Sequence, residues 1–157
     1  MAVLDPLEVV LRLVAAALLG GVVGLERESS DQAAGLRTHM LVSLGAALFT
    51  MVGAYGLGDF TGSGRGLDVD PTRIAAQVVT GIGFLGAGAI IQQGVTVKGL
   101  TTAAALWVTA AIGLAAGFGY WIGAGVVTVI TVLALYFLKR MRRLFRPREE
   151  TDELPPA

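Results

Sequence analysis

The sequence predicts an all-α fold: a polytopic membrane bundle of about five helices. Three observations carry this. Five stretches are apolar and nearly charge-free: Val9–Leu25, Met40–Leu57, Ile74–Ile91, Thr101–Gly117 and Tyr120–Leu138. Each has about the ~17–25 residues that a helix needs to cross a bilayer. Hydrophobic residues make up 54 % of the chain and charged ones 15 %, against about 25 % charged in a soluble domain. The mean hydropathy is +0.70. The apolar runs are continuous rather than alternating, which selects helices over barrel strands.

The first span follows a segment, Met1–Glu8, with Asp5 and Glu8 but no Lys or Arg. A cleaved signal peptide needs a basic start and a small-residue cleavage site, so this span reads as a retained helix. Arg12 near its start is placed to snorkel to the interface. Glu26, Arg27 and Glu28 close the span, and Arg37, Thr38 and His39 open the second. These groups gather at one membrane face. They read either as an ion-pair belt anchoring helix ends or as a polar pocket at the mouth of the bundle. Glu26 pairing with Arg37 suits both readings. His39 has the side chain whose ordinary titration falls near neutral pH.

A Gly- and Asp-rich stretch, 58–73, separates spans two and three and should be irregular. Asp70 is a candidate N-cap, with Pro71 at the first helical position. Asp70, Arg73 and Gln77 share one face of the start of span three. This is either a cap with an intrahelical ion pair or a polar site. Deeper in, Gly81-Ile82-Gly83-Phe84-Leu85-Gly86 matches GxGxxG, but a dinucleotide site needs a strand before it and a helix after it. Helix packing is the better reading. Gly81, Gly83, Gly86 and Gly88 cover more than one face, which predicts a central span three touched on several sides. Gly20–Gly24, Gly113–Gly117 and Gly119–Gly123 are GxxxG pairs of the same close-packing type.

The connection 92–99 carries Lys98, and its Lys-Gly order is the reverse of the phosphate-loop signature. Gly99 precedes span four, with Thr101 or Thr102 as candidate cap. Trp107 falls mid-span, where it should be buried, whereas Trp121 suits an interfacial belt. The Gly117–Gly119 break separates spans four and five; if the two formed one re-entrant element, the orientation of everything upstream would invert. After the last span come Lys139, Arg140, Arg142, Arg143, Arg146 and Arg148. By the positive-inside rule this puts the C-terminus in the cytoplasm and the N-terminus outside. Residues 1–140 then form the bundle and 141–157 a basic, then acidic and Pro-rich tail, expected to be disordered.

The chain has no cysteine, which excludes disulfides, thiolate metal sites and cysteine nucleophiles. No catalytic triad or His-rich cluster is present, so neither an enzyme activity nor a cofactor or metal site is assigned, and no nucleic acid is expected as partner. Membrane lipid surrounds the bundle, and Gly-rich faces point to a homo-oligomer.

The order of motifs GGVVGLERE, AGLRTHMLVSLGAAL, DPTRIAAQVVTGIGFLGAGAII and VKGLTTAAALWVTAAIGLAAG, over Gly20 to Gly123, resembles the MgtC/SapB family of bacterial inner-membrane proteins. The resemblance implies a non-enzymatic regulator tied to magnesium limitation, acid stress and survival inside host cells. Its implied partners are other inner-membrane proteins, including magnesium-transporting P-type ATPases and the ATP synthase. By position the motif residues here are Glu26, Arg27, Arg37, Thr38, His39, Asp70, Arg73, Gln77, Gly81, Gly83, Phe84, Gly86, Gly88, Gly99, Thr101, Thr102 and Trp107. The member that gives the family its name adds an ACT-like C-terminal domain, for which this sequence has no room. The alternative is an ion or small-solute transporter or channel. Asp70, Arg73 and Gln77 would then form an outer vestibule, and Glu26, Arg37 and His39 an inner one. A wet cavity between the clusters would favour transport.

Overall fold

The computed structural model describes residues 4–56, 70–93 and 95–145. The stretch 58–69 and residues 146–157 of the tail, about which the sequence raised expectations, lie outside the described residues; residues 141–145, expected to belong to the disordered tail, are helical instead and continue the last helix. Five helices follow in order: α1 (Pro6–Ser29), α2 (Leu36–Met51) extended by a π-helical turn (Val52–Gly56), α3 (Pro71–Ala89), α4 (Leu100–Gly117) and α5 (Trp121–Phe145). The all-α membrane bundle is therefore as the sequence predicts, with the helices running a few residues past the apolar cores. Pro6–Ser29, Leu36–Tyr55 and Leu100–Gly117 are long and apolar enough to cross a membrane, and the apolar part of α5, Trp121–Phe137, is a little shorter.

Local chemistry sets the ends. Asp5 caps α1 by accepting from the Leu7 N–H at 2.8 Å, with Pro6 at the first position, where a missing N–H costs nothing. The α1–α2 turn passes through Asp31 with φ of 55°. Gly35 caps α2 without a side chain. The Glu28 carboxylate, at the end of α1, supplies the acceptor instead and takes the Leu36 N–H at 2.7 Å. An anion over a helix N-terminus also meets the positive end of its dipole. Asp70 caps α3 as expected, accepting from the Thr72 N–H at 2.9 Å and the Thr72 hydroxyl at 2.6 Å.

The connection 92–99 is not a plain loop. Strands β1 (Ile91–Gln93) and β2 (Thr96–Lys98) pair antiparallel with Ile91 opposite Lys98. Gly99 follows with φ of 88° and is itself the N-cap of α4. A Cβ there would run into the Ala89 carbonyl, so only glycine fits. Neither Thr101 nor Thr102 caps the helix: Thr101 is exposed and Thr102 is buried one turn in. Spans four and five are separate. Gly119 (φ 78°) donates to the Ala116 carbonyl and Tyr120 to that of Ala115, the Schellman pattern that ends a helix on a left-handed glycine.

The centre of the bundle is α4, which packs on all four other helices. Its buried face is made of small residues, among them Ala105, Ala110, Gly113, Ala116 and Gly117. One core cluster joins Ala16, Val23, Ala47, Ile112, Ala116 and Ala124; a second joins Ala34, Ala46, Ile82, Leu106 and Ala110. Lipid tails are as apolar as leucine, so close backbone approach rather than hydrophobic transfer holds such helices together.

This corrects the expectation that span three is central. Among the described residues, helix α3 packs on α2 with its π-helical turn and on α4, and its glycines at 81, 83 and 88 have nothing within 4 Å of where a Cβ would stand. Phe84 is 81 % exposed; only Gly86 meets a neighbour, Ala103, at 3.7 Å. The glycine count signals close approach but does not say which helix makes it. Trp107, expected to be buried, is half exposed on an outward face of α4.

Candidate functional site

Two polar knots lie at opposite ends of the α1–α2–α4 junction. At the end where α1 meets α2, Arg27 is buried. Its Nε donates to Glu26 Oε2 at 2.7 Å, and the Ser30 hydroxyl donates to Glu26 Oε1 at 2.8 Å. The expected Glu26–Arg37 pair is not formed. Glu26 turns to its sequence neighbour, and Arg37 and Thr38 face outward. Helical geometry explains this. Arg37 lies on the far side of the first turn of α2, whereas His39, two residues on, points into the junction.

His39 is fully buried. Its Nδ1 lies 2.9 Å from the Gly35 carbonyl oxygen. A carbonyl only accepts, so Nδ1 carries the hydrogen, and in the neutral ring Nε2 is a bare acceptor. One turn on, Ser43 is also fully buried. Both residues press on the GxxxG pair of α1. A Cβ on Gly20 would stand 2.6 Å from Ser43 Cβ, and one on Gly24 would stand 3.0 Å from His39 Cβ. The second GxxxG pair meets α2 from the other side: a Cβ on Gly117 would stand 2.7 Å from the Ala47 carbonyl oxygen, and one on Gly113 would strike that of Ser43. Helix α2 is therefore held between two glycine grooves, with His39, Ser43 and Thr50 along the seam.

The second knot is absent from the sequence reading. Arg12 does not snorkel; it is buried. Its Nε donates to Glu8 Oε1 at 2.9 Å, its Nη1 donates to the Gly117 carbonyl at 2.8 Å, and its guanidinium lies 5.3 Å from the centre of the Tyr55 ring. The cation thus caps the negative end of α4 and stacks on the π-helical turn. The Glu8–Arg12 spacing was a readable signal. Gly117 and Tyr55 could not be found from sequence, because only the fold brings them near.

The other sequence candidates scatter. Asp70, Arg73 and Gln77 are exposed. The Asp70 carboxyl is held below its ordinary range, first by the Thr72 hydroxyl and then by the Thr72 N–H. Among the described residues Gln77 is the only polar side chain lining an apolar groove of about 490 Å³, formed by Leu41 and Phe49 of α2 with Ile74, Gly81 and Leu85 of α3. Lys98 lies exposed on β2. Among the described residues no group of three or more His, Cys, Asp or Glu is placed to hold a metal ion.

The family model described as the MgtC family matches residues 13–144, from the first turns of α1 to the end of α5. The chain belongs to the MgtC family. It is 47 % identical over 128 residues to the protein named "Putative magnesium transporter YhiD" of Escherichia coli, covering 82 % of this chain and 59 % of that protein. It is 47 % identical over 120 residues to Protein MgtC of Brucella abortus, covering 76 % of this chain and 47 % of the relative. Protein MgtC of Salmonella typhimurium is 45 % identical over 130 residues, with 83 % and 52 % covered. The chain therefore spans about half the length of the curated relatives it matches. No solved structure matches it. The matched part takes in the glycine grooves and the Glu26–Arg27–His39 knot, whereas Glu8 and Arg12 of the second knot precede it.

Proposed function

We propose that this protein is a non-enzymatic regulator in the bacterial inner membrane, acting on other membrane proteins under magnesium limitation. The observation that carries this reading is the uncovered face of α3. Helix α3 holds Arg73, Gln77 and Thr80 and is not among the helices apolar enough to span by composition. Yet Gly81, Gly83 and Gly88 stand bare among the described residues. Polar side chains and bare glycine backbone tend to face protein rather than lipid. A neighbouring transmembrane helix, from another copy or another membrane protein, would cover them and satisfy the Gln77 amide. The link to magnesium is supported by the name of the Escherichia coli relative, "Putative magnesium transporter YhiD". The Lys/Arg bias supports an N-terminus outside and a cytoplasmic C-terminus.

A transporter is the second reading, favoured by the name of the Escherichia coli relative and by the polar seam His39, Ser43, Thr50. A hard divalent cation needs several oxygen ligands. The seam offers hydroxyls and one imidazole and is closed by glycine contacts. The regulator reading is tested by growth of a deletion strain at limiting magnesium, with ion flux measured in liposomes. Gly83→Leu and Gly88→Leu should leave protein level and thermal stability intact but abolish rescue, and purified protein should pass no Mg²⁺. Full rescue by both variants, or Mg²⁺ flux through the purified protein, would overturn it.

A further inference from the structure

The apolar groove between α2 and α3 has a projecting aromatic ring on its rim. Its walls include Leu41 and Phe49 of α2 and Ile74 and Leu85 of α3, around about 490 Å³. Two glycines also line it, Gly45 and Gly81, and neither has anything within 4 Å of where a Cβ would stand. Phe84 falls three residues past Gly81 and one before Leu85, so it rises beside the groove. It is 81 % exposed. Gln77 and Phe84 are seven residues apart, as are Gly81 and Gly88. Seven-residue spacing keeps one side of a helix toward a partner. Ring, groove wall and amide therefore share one side of α3. The Gln77 amide makes no hydrogen bond among the described residues.

We propose, resting on the reading that a neighbouring helix covers α3, that this neighbour is α3 of a second copy, with each Phe84 entering the other copy's groove and the two Gln77 amides pairing across the two-fold axis. Copies inserted the same way are related by an axis along the membrane normal. Their α3 helices then run parallel, with equal residues at equal depth. A helical side chain leans over the turn before its own Cα. Phe84 of one copy thus reaches the level of Gly81 in the other, where the groove wall lacks a side chain. An amide both donates and accepts, so two at one depth satisfy each other. A lipid tail can fill the groove but offers the amide no partner. Like charges do not oppose the contact. Arg73, one turn before Gln77, lies near enough to Asp70 to help keep its carboxyl ionised, so the facing helix starts carry no net charge.

The chain has no native cysteine, so a single introduced one reads the contact. Gly88→Cys, on the proposed side, should form a disulfide between copies in native membranes under mild oxidation. Val79→Cys, on the far side of α3, should not. Dimerisation in lipid bilayers is then read from the photobleaching steps of labelled protein. Phe84→Ala and Gln77→Leu should each weaken it by about tenfold. Leu18→Ala, exposed on α1, should not. The Phe84 ring is exposed, so its loss should leave each copy folded. A monomer in bilayers would overturn the proposal, whether lipid or another protein fills the groove. So would cross-linking at Val79 equal to that at Gly88, or dimerisation indifferent to Phe84→Ala and Gln77→Leu. A monomer whose Gly83→Leu variant still fails to rescue growth would remove the second copy and leave the partner-helix reading standing.

Discussion

Arg12 and Gly117 lie 105 positions apart and are joined by a 2.8 Å hydrogen bond from the guanidinium to the carbonyl that ends α4. The same guanidinium fills the space beside Gly119, where a Cβ would stand 2.9 Å from Nη2. One side chain thus fixes where α1, the π-helical turn and the α4–α5 corner meet.

Arg12→Met keeps the apolar stem and removes the donors. It should cost about 1.5–3 kcal/mol, the range for a hydrogen bond to a charged group, measured by SDS-induced unfolding in mixed micelles. A loss below about 0.5 kcal/mol would mean that the contact is incidental.

The Glu26–Arg27 pair is almost fully buried, with side chains 10 % and 5 % exposed. Glu26→Gln leaves a buried guanidinium without its counter-charge and should destabilise by about 3–5 kcal/mol. Arg37→Gln, on the exposed face of α2, should stay within about 0.5 kcal/mol of the parent. Equal effects in the same unfolding assay would contradict the observed pairing.

Glycines in the two grooves and on α3 should respond in opposite directions. Gly20→Ala and Gly24→Ala force a methyl into a packed seam and should cost about 1–3 kcal/mol. Gly83→Ala meets nothing, so it should be neutral or gain about 0.5–1 kcal/mol from helix propensity. Thermal stability in detergent separates the two classes.

The Asp70 carboxyl is held below its ordinary value of 3.8 by the Thr72 hydroxyl and N–H. A lowered folded value means that its cap contribution is complete above the unfolded value. The contribution fades as pH falls through the folded one. Amide exchange at Thr72 and Arg73 should therefore quicken in strong acid. Asp70→Ala should show quick exchange at every pH. Slow exchange in that variant would remove the cap from the account.

Orientation is open to labelling, since the chain has no native cysteine. Thr72→Cys should react with an impermeant thiol reagent in intact cells and Gln32→Cys should not. The reverse pattern would invert the topology.

Much of this was legible in the residues. Continuous apolar runs located all five helices, because a bilayer admits few other forms. Asp70-Pro71 announced a helix start because capping is local chemistry. The Glu26–Arg37 pairing failed because proximity in a short loop does not fix which way a helical side chain points. Thr101 and Thr102 failed as caps because Gly99, in a left-handed conformation, closes the hairpin and begins the helix in one step.

The sequence by itself determined that this is a membrane bundle, where its helices lie and which family it belongs to, since length, hydropathy and motif order are properties of the chain alone. Only the tertiary structure decided which glycines are used. Gly20, Gly24, Gly113 and Gly117 clasp α2, while Gly81, Gly83 and Gly88 stand bare. Every glycine permits close approach, but whether another backbone arrives is settled by how the helices are arranged around α4. The same arrangement buries Arg12 against Gly117 and, among the described residues, leaves His39 Nε2 and Ser43 Oγ buried without a hydrogen-bond partner.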